Sequence, residues 1–276
     1  MQRRGRLKRS HMQNEGTTTN QNVTVEKAWI GDCFISKISM SKILSLVNEW
    51  IEKNQKNKCI TAINASKLVM SQKDKKLADY ILNSSINIGD GISIFLATLL
   101  IGDPIPERIT GADLMVQLLK LANDHGYKVF FLGSRQDVLD RVVDKCQAQY
   151  PNVRIAGIRN GYFKKNEKDA VVRQIASTSP AILLVALGLP QKEYFVADYG
   201  GLLNSSVIVP VGGTFDVYAG LKKRAPQWIQ RLGIEWLWRS AYDRSRARLV
   251  FKSLFPFILI LIKEMCQQRI LKRKRG

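Results

Sequence analysis

Asp90 stands between two glycines in Ile86-Asn87-Ile88-Gly89-Asp90-Gly91, where a short apolar strand gives way to the apolar run Ile92 to Ile101, long enough for a buried helix. Glycine permits backbone angles that other residues resist, so the pair allows a sharp turn and the close approach of a second molecule. A carboxylate at a strand end, just before a helix, sits where open α/β sheets bind their ligands. The chemistry it offers there is proton abstraction. Only His11, in a polar N-terminal stretch, and His125, beside Gly126 at an expected helix end, could supply imidazole. A Ser/His/Asp triad and a histidine-rich metal site are therefore not expected, and the general base should be a carboxylate. Taken alone, Asp90 also reads as a turn residue capping the helix after it.

The elements that must hold such a group alternate in the manner of an α/β protein. Trp29 to Ser39 offers two extended stretches around Gly31-Asp32, a hairpin, and Ser41 is placed to cap a helix with Ile43, Leu44, Leu46, Val47, Trp50 and Ile51 on its apolar face. A strand from Cys59 to Ile63 ends at Asn64, so two strands finish in a polar residue at a helix start: Asn64 and Asp90. Arg108-Ile109-Thr110-Gly111-Ala112-Asp113 leads into a further helix, with Thr110 as N-cap and Asp113 in the capping-box position. Asp113 thereby has a structural reading beside a substrate-binding one.

From Tyr127 onward strand and helix alternate at short intervals, as in parallel α/β units. Lys128 to Leu132 leads to Gly133-Ser134-Arg135, Val153 to Ile158 to Gly161-Tyr162-Phe163, Ala181 to Leu187 to Gly188-Leu189-Pro190-Gln191-Lys192-Glu193, and Val207 to Val211 to Gly212-Gly213-Thr214-Phe215-Asp216. Four strands thus end in glycine-containing turns on one rim, and such turns present N–H groups and helix N-termini to phosphate. No GxGxxG follows the first strand and no GxxxxGK[ST] occurs, which argues against a dinucleotide oxidoreductase and a P-loop NTPase. No DxD pair stands ready to hold a metal on a nucleotide-sugar, so neither a metal nor a cofactor is expected. The charge of a bound diphosphate would fall to N–H groups and to Arg108, Arg135, Lys192 or Arg224.

The chain carries a net charge of +20 over 276 residues, which calls for an anionic partner. Between Leu221 and Gly276, 15 Lys and Arg stand against three acidic residues, a net +12, and the first eleven residues add +5. Three regions follow: a disordered basic tail (1–27), an α/β domain (28–220) and a basic amphipathic C-terminal appendage (221–276). In the appendage Phe251, Leu254, Phe255, Ile258, Leu259 and Ile262 recur at helical spacing, among arginines and Trp228, Trp236 and Trp238, as suits an anionic membrane surface. The apolar run Leu254 to Ile262 has nine residues and includes Pro256, well short of the roughly 20 that span a bilayer. No secretory signal is visible, and Cys33, Cys59, Cys146 and Cys266 form no CxxC pair, as expected of reduced thiols in a cytosolic protein.

Taken together, Ile63-Asn64-Ala65, Gly89-Asp90-Gly91-Ile92-Ser93, Arg108 to Leu114, Gly161-Tyr162-Phe163, Gly188 to Glu193, Val211 to Asp216, Lys223-Arg224-Ala225-Pro226, Arg231 to Leu237 and Arg239 resemble the WecG/TagA/CpsF family of bacterial glycosyltransferases. The likeness covers about Trp29 to Arg248. It implies a Rossmann-like, mostly parallel sheet flanked by helices. It also implies an inverting transferase that moves an N-acetylhexosamine-type sugar, N-acetylmannosamine or its uronate, from a UDP donor to a polyprenyl-diphosphate-linked acceptor, at the cytoplasmic face of the plasma membrane, in cell-surface polymer synthesis. By the same resemblance Asp90 is the base, Asn64 and Arg108 line its pocket, Tyr162 stacks on uracil, and Asp216 accepts bonds from ribose or base. The glycine turns, with Gly133, Gly188, Gly213 and Thr214, face the phosphates, and the C-terminal end supplies arginines, Arg224 and Arg231 among them. The chain departs from the family at one point: the usual Pro-x-Gln-Glu reads Pro190-Gln191-Lys192-Glu193, so Lys192 takes the slot of a pocket glutamine, and it can meet an anionic donor. Oligomeric state is left open. The competing classes are a basic nucleic-acid-binding protein without catalytic activity and a transferase-like scaffold that has lost its activity; aromatics are not interleaved with the charges as in a nucleic-acid module.

Overall fold

The computed structural model describes residues 25–222, 225, 226, 228, 229, 235, 237, 238 and 244–273. An antiparallel hairpin of β1 (Lys27–Ile30) and β2 (Cys33–Ser36) opens the chain and turns at Gly31. Helix α1 (Met40–Glu52) follows, with Ser39 rather than Ser41 as its cap: the Ser39 hydroxyl accepts from the Lys42 N–H and also pairs with the Ser41 hydroxyl. Then come β3 (Lys58–Ile63), α2 (Ala65–Ser71), α3 (Lys75–Asn83), β4 (Ile86–Gly89) and α4 (Ile92–Ile101). The sequence reading passed over α3, whose cap, Asp74, accepts from the Leu77 N–H.

Helix α5 (Gly111–His125) starts from Thr110, whose hydroxyl accepts from the Asp113 N–H at 3.1 Å and donates to Asp113 Oδ2 at 2.7 Å, the expected cap. The second half runs β5 (Lys128–Gly133), α6 (Gln136–Gln149), β6 (Arg154–Arg159), α7 (Lys168–Thr178), β7 (Ile182–Ala186), α8 (Gln191–Tyr199), β8 (Val207–Pro210) and the short α9 (Thr214–Tyr218). A long helix, α10 (Arg244–Arg273), ends the described chain and continues through Pro256.

Strands β3 to β8 form one six-stranded sheet in the order β4-β3-β8-β7-β5-β6, with every pairing parallel. The fold is the expected Rossmann-like α/β sheet. Its strands are apolar on both faces because helices cover both. Phe131, Ile182 and Leu184 pack with α1, α5, α6 and Phe215, while Phe130, Leu132, Leu183 and Val185 pack with the hairpin and α2, α3, α4, α7 and α8. Parallel pairing brings the C-terminal end of every strand to the same rim.

One helix differs from its sequence reading. Helix α4 is not buried all round, since Leu96, Leu99 and Leu100 are exposed. Helix α10 turns Ser253, Phe257 and Glu264 inward and leaves Phe251, Leu254, Phe255, Ile258, Leu259 and Ile262 exposed. It packs on α2 and α4. Among the described residues no helix is long and apolar enough to cross a membrane.

Candidate active site

The rim at the C-terminal strand ends is knitted together by main-chain bonds between neighbouring turns. The Asp90 N–H donates to the Ile63 carbonyl at 2.8 Å, which fixes the β4 turn against the end of β3. The Val211 and Gly212 N–H groups both reach the Val185 carbonyl, Ser134 N–H reaches Ala186, and Gly161 N–H reaches the Ser134 carbonyl at 2.8 Å. Two glycines are required by this closeness. A Cβ at Gly133, where φ is +117°, would lie 2.5 Å from the Ala186 backbone, and one at Gly161 would lie 3.1 Å from Gly133 Cα.

The side chains follow the strand order along this rim. Asp90, partly buried, marks the β4 edge, and beside it Asn64 caps α2 by accepting from the Lys67 N–H at 2.9 Å. At the β5 turn the Ser134 hydroxyl donates to Asp216 Oδ1 at 3.3 Å, while Lys222 Nζ lies 3.3 Å from Asp216 Oδ2. Tyr162, after β6, is 77% exposed among the described residues.

Between these ends lies a buried ionic trio. Lys67 Nζ and Lys192 Nζ stand 2.8 and 3.0 Å from the same oxygen, Glu193 Oε1, and Lys67 also donates to the Ala62 carbonyl at 2.6 Å. The Glu193 side chain is fully buried and those of Lys67 and Lys192 nearly so. Burial raises the Glu193 carboxyl but the two ammonium groups outweigh it, and its pKa falls below the ordinary value. Burial is the largest influence on Lys192 and pushes it down to about 8, with Glu193 and Asp90 opposing and Lys67 adding to the fall. The site therefore combines a carboxylate at one strand end, a buried cationic centre and glycine turns on a single edge.

The sequence model of the "Glycosyl transferase WecG/TagA/CpsF family" matches residues 28–271. The chain belongs to this family, and it is a glycosyltransferase. Two Bacillus proteins are among its relatives, both named N-acetylglucosaminyldiphosphoundecaprenol N-acetyl-beta-D-mannosaminyltransferase. The Bacillus subtilis protein is 34% identical over 205 residues, 74% of this chain and 79% of the relative. The Bacillus spizizenii protein is 36% identical over 171 residues, 62% of this chain and 63% of the relative.

For a member of this glycosyltransferase family, the predicted residues fall into three groups. Asn64, Asp90, Gly133, Tyr162, Gly188 and Gly213 stand at C-terminal strand ends or in the turns after them, and Lys192, Thr214 and Asp216 in the first turn of the helix that follows. Gln191 is exposed at the start of α8, its Oε1 over Gly188, whereas Lys192 points into the buried trio. Arg108 and Asp113 line a recess of about 290 Å³ with Met40, Glu107, Ile109, Val116 and Gln117, where Asp113 serves the α5 cap. Arg224 and Arg231 lie outside the described residues. Arg135 is paired with Asp137 on the surface.

Sequence reasoning missed Lys67, Glu193 and Ser134 as members of the rim. Glu193 was legible only as part of a motif, and nothing in the chain near Lys67 announces its partner on α8. A cavity of about 730 Å³ lies between α3 and α8 near the N-terminal strand ends, lined by residues such as Cys59, Tyr80, Ser84 and Ile208, away from the glycine turns.

Proposed function

We propose that this glycosyltransferase moves an N-acetylhexosamine-type sugar, N-acetylmannosamine or its uronate, from a UDP donor to the sugar of a polyprenyl-diphosphate-linked acceptor, with inversion at the anomeric carbon. The acceptor hydroxyl oxygen attacks C1 and its proton passes to the Asp90 carboxylate. The C1–O bond to the diphosphate breaks, and its electron pair leaves with UDP. Tyr162 stacks on uracil, Asp216 accepts from the ribose or base, and the turns at Gly133, Gly188 and Gly213-Thr214 offer N–H groups to the phosphates. Asn64 and Arg108 border the reacting sugar. The observation carrying this reading is the gathering of Asp90, the Lys67–Glu193–Lys192 trio and the glycine turns on one sheet edge. The names of the Bacillus relatives support the acceptor class.

The enzyme works at the cytoplasmic face of the plasma membrane as a peripheral protein. The exposed apolar residues of α4 and α10, two helices in contact, together with a C-terminal region of net +12, support docking on an anionic leaflet, where each cation contributes roughly 1 kcal/mol. A panel of UDP-sugars assayed against a short-chain polyprenyl-diphosphate-GlcNAc tests the proposal; transfer from UDP-N-acetylmannosamine or its uronate is the expected result. Tight, salt-sensitive RNA binding without stabilisation by UDP would favour the nucleic-acid reading instead.

A further inference from the structure

The buried trio carries two positive charges and one negative, and both ammonium groups use the same oxygen of Glu193. An unmatched charge in a buried setting is costly unless an opposite charge comes to it. Lys67 is held by Glu193 and the Ala62 carbonyl, which leaves Lys192 as the member able to turn outward. Lys192 also reaches the rim: a methyl group on Gly212 would lie 3.6 Å from its Cε and 3.8 Å from its Nζ. Gly212 follows β8 and Lys192 follows β7, the two central strands of the sheet. Tyr162 stands beyond β6 at one edge and Asp90 beyond β4 at the other. With strands about 4.8 Å apart, Lys192 sits two to three spacings from each. A nucleoside-diphosphate sugar lying along the rim, base at Tyr162 and anomeric carbon toward Asp90, puts its diphosphate over Gly212 and Lys192.

We propose that Lys192 is the binding residue for the donor's diphosphate and the counter-charge for its departure, a role the buried trio prepares by holding one positive charge in excess. The inference rests on the proposed UDP-sugar reaction. Among the described residues the negative charges acting on Lys192 in the resting site are Glu193 and Asp90. As Asp90 takes the acceptor proton it loses that charge, while the electron pair of the breaking C1–O bond adds one to the diphosphate. The attraction on Lys192 passes from the base to the leaving group in the same step, and no charge is left uncompensated. The depressed pKa fits: a bound diphosphate restores the protonated state, so affinity depends on pH around the value of the empty site.

The test is calorimetric titration of the full chain and of Lys192→Gln, which restores the family's residue, with UDP, uridine and UDP-glucuronate at pH 7. The variant is expected to lose UDP affinity roughly ten- to hundredfold, the range for a hydrogen bond to a charged group, while uridine binding stays within about twofold. As a second measurement, free of any variant, wild-type UDP affinity should fall between pH 7 and 9 relative to that of uridine. Equal UDP affinity in the two proteins, or a pH profile parallel to that of uridine, overturns the inference and leaves the proposed reaction standing. A loss confined to UDP-glucuronate assigns Lys192 to a sugar carboxylate and overturns it too. Wild-type protein that binds no UDP brings down both this inference and the reaction beneath it.

Discussion

The hydroxyls of Ser253 and Ser66 are hydrogen-bonded at 2.8 Å, both buried, and join the C-terminal helix to the first turn of the helix that Asn64 caps. The outermost segment of the fold is thus attached two residues from the rim. Removing residues 251–276 is expected to abolish sedimentation with anionic vesicles and to cut turnover at least tenfold. Because Phe257 is buried, that truncation also opens the core. Replacing the exposed Phe255, Ile258 and Ile262 by Glu isolates the docking effect: vesicle binding is lost and the melting temperature stays put. Full vesicle binding by this triple variant removes the membrane proposal.

Asp90→Asn keeps size and polarity but cannot accept a proton as a carboxylate does. Turnover should drop about 10²- to 10⁴-fold with UDP affinity retained. Unchanged transfer by the variant excludes Asp90 as the base.

Tyr162 is mostly solvent-exposed, so Tyr162→Ala should shift stability by no more than about 0.5 kcal/mol. Loss of a stacked base is worth about 1–3 kcal/mol in binding, roughly five- to hundredfold in affinity. Titration with UDP and uridine reads this directly, and both ligands should lose equally.

Glu193 and Lys192 have opposite consequences for the empty protein. Glu193→Gln leaves two buried ammonium groups without their carboxylate, and chemical denaturation should show a loss of about 3–5 kcal/mol. Lys192→Gln relieves the excess charge and is expected to stabilise the ligand-free protein by about 1–3 kcal/mol at pH 7. The pH dependence has a definite sign. Folded Lys192 releases its proton around pH 8, whereas the unfolded side chain holds it to about 10.5, so the unfolded state binds more protons in that window and wild-type stability gains with rising pH. The advantage of Lys192→Gln is therefore complete below pH 8 and shrinks between 8 and 10.5. Comparing variant with wild type at each pH cancels the contribution of Cys146, whose buried thiol is raised to about 11 and acts in the opposite direction.

Local pattern was enough for the parallel sheet, the hairpin at Gly31 and the Thr110 cap, because apolar alternation, glycine turns and capping side chains act over a few residues. The same range explains the errors. Ser39 and Ser41 are both able to cap α1, and the choice turns on where the chain leaves the hairpin. The apolar run at Ile92 gave no sign that Leu96, Leu99 and Leu100 face outward, since exposure of a uniformly apolar helix depends on what lies beside it.

By itself the amino-acid order determined that strands end in glycine turns, that Asp90 sits in one of them, and that the positive charge gathers near the chain ends. Tertiary structure alone decided that Lys67 and Lys192 share one oxygen of Glu193, and that Arg108 and Asp113 line one recess with Met40 of α1. The physical reason is range. Backbone geometry and capping are settled between neighbours, while a buried charge finds its partners only when parallel pairing brings separate strand ends to one edge.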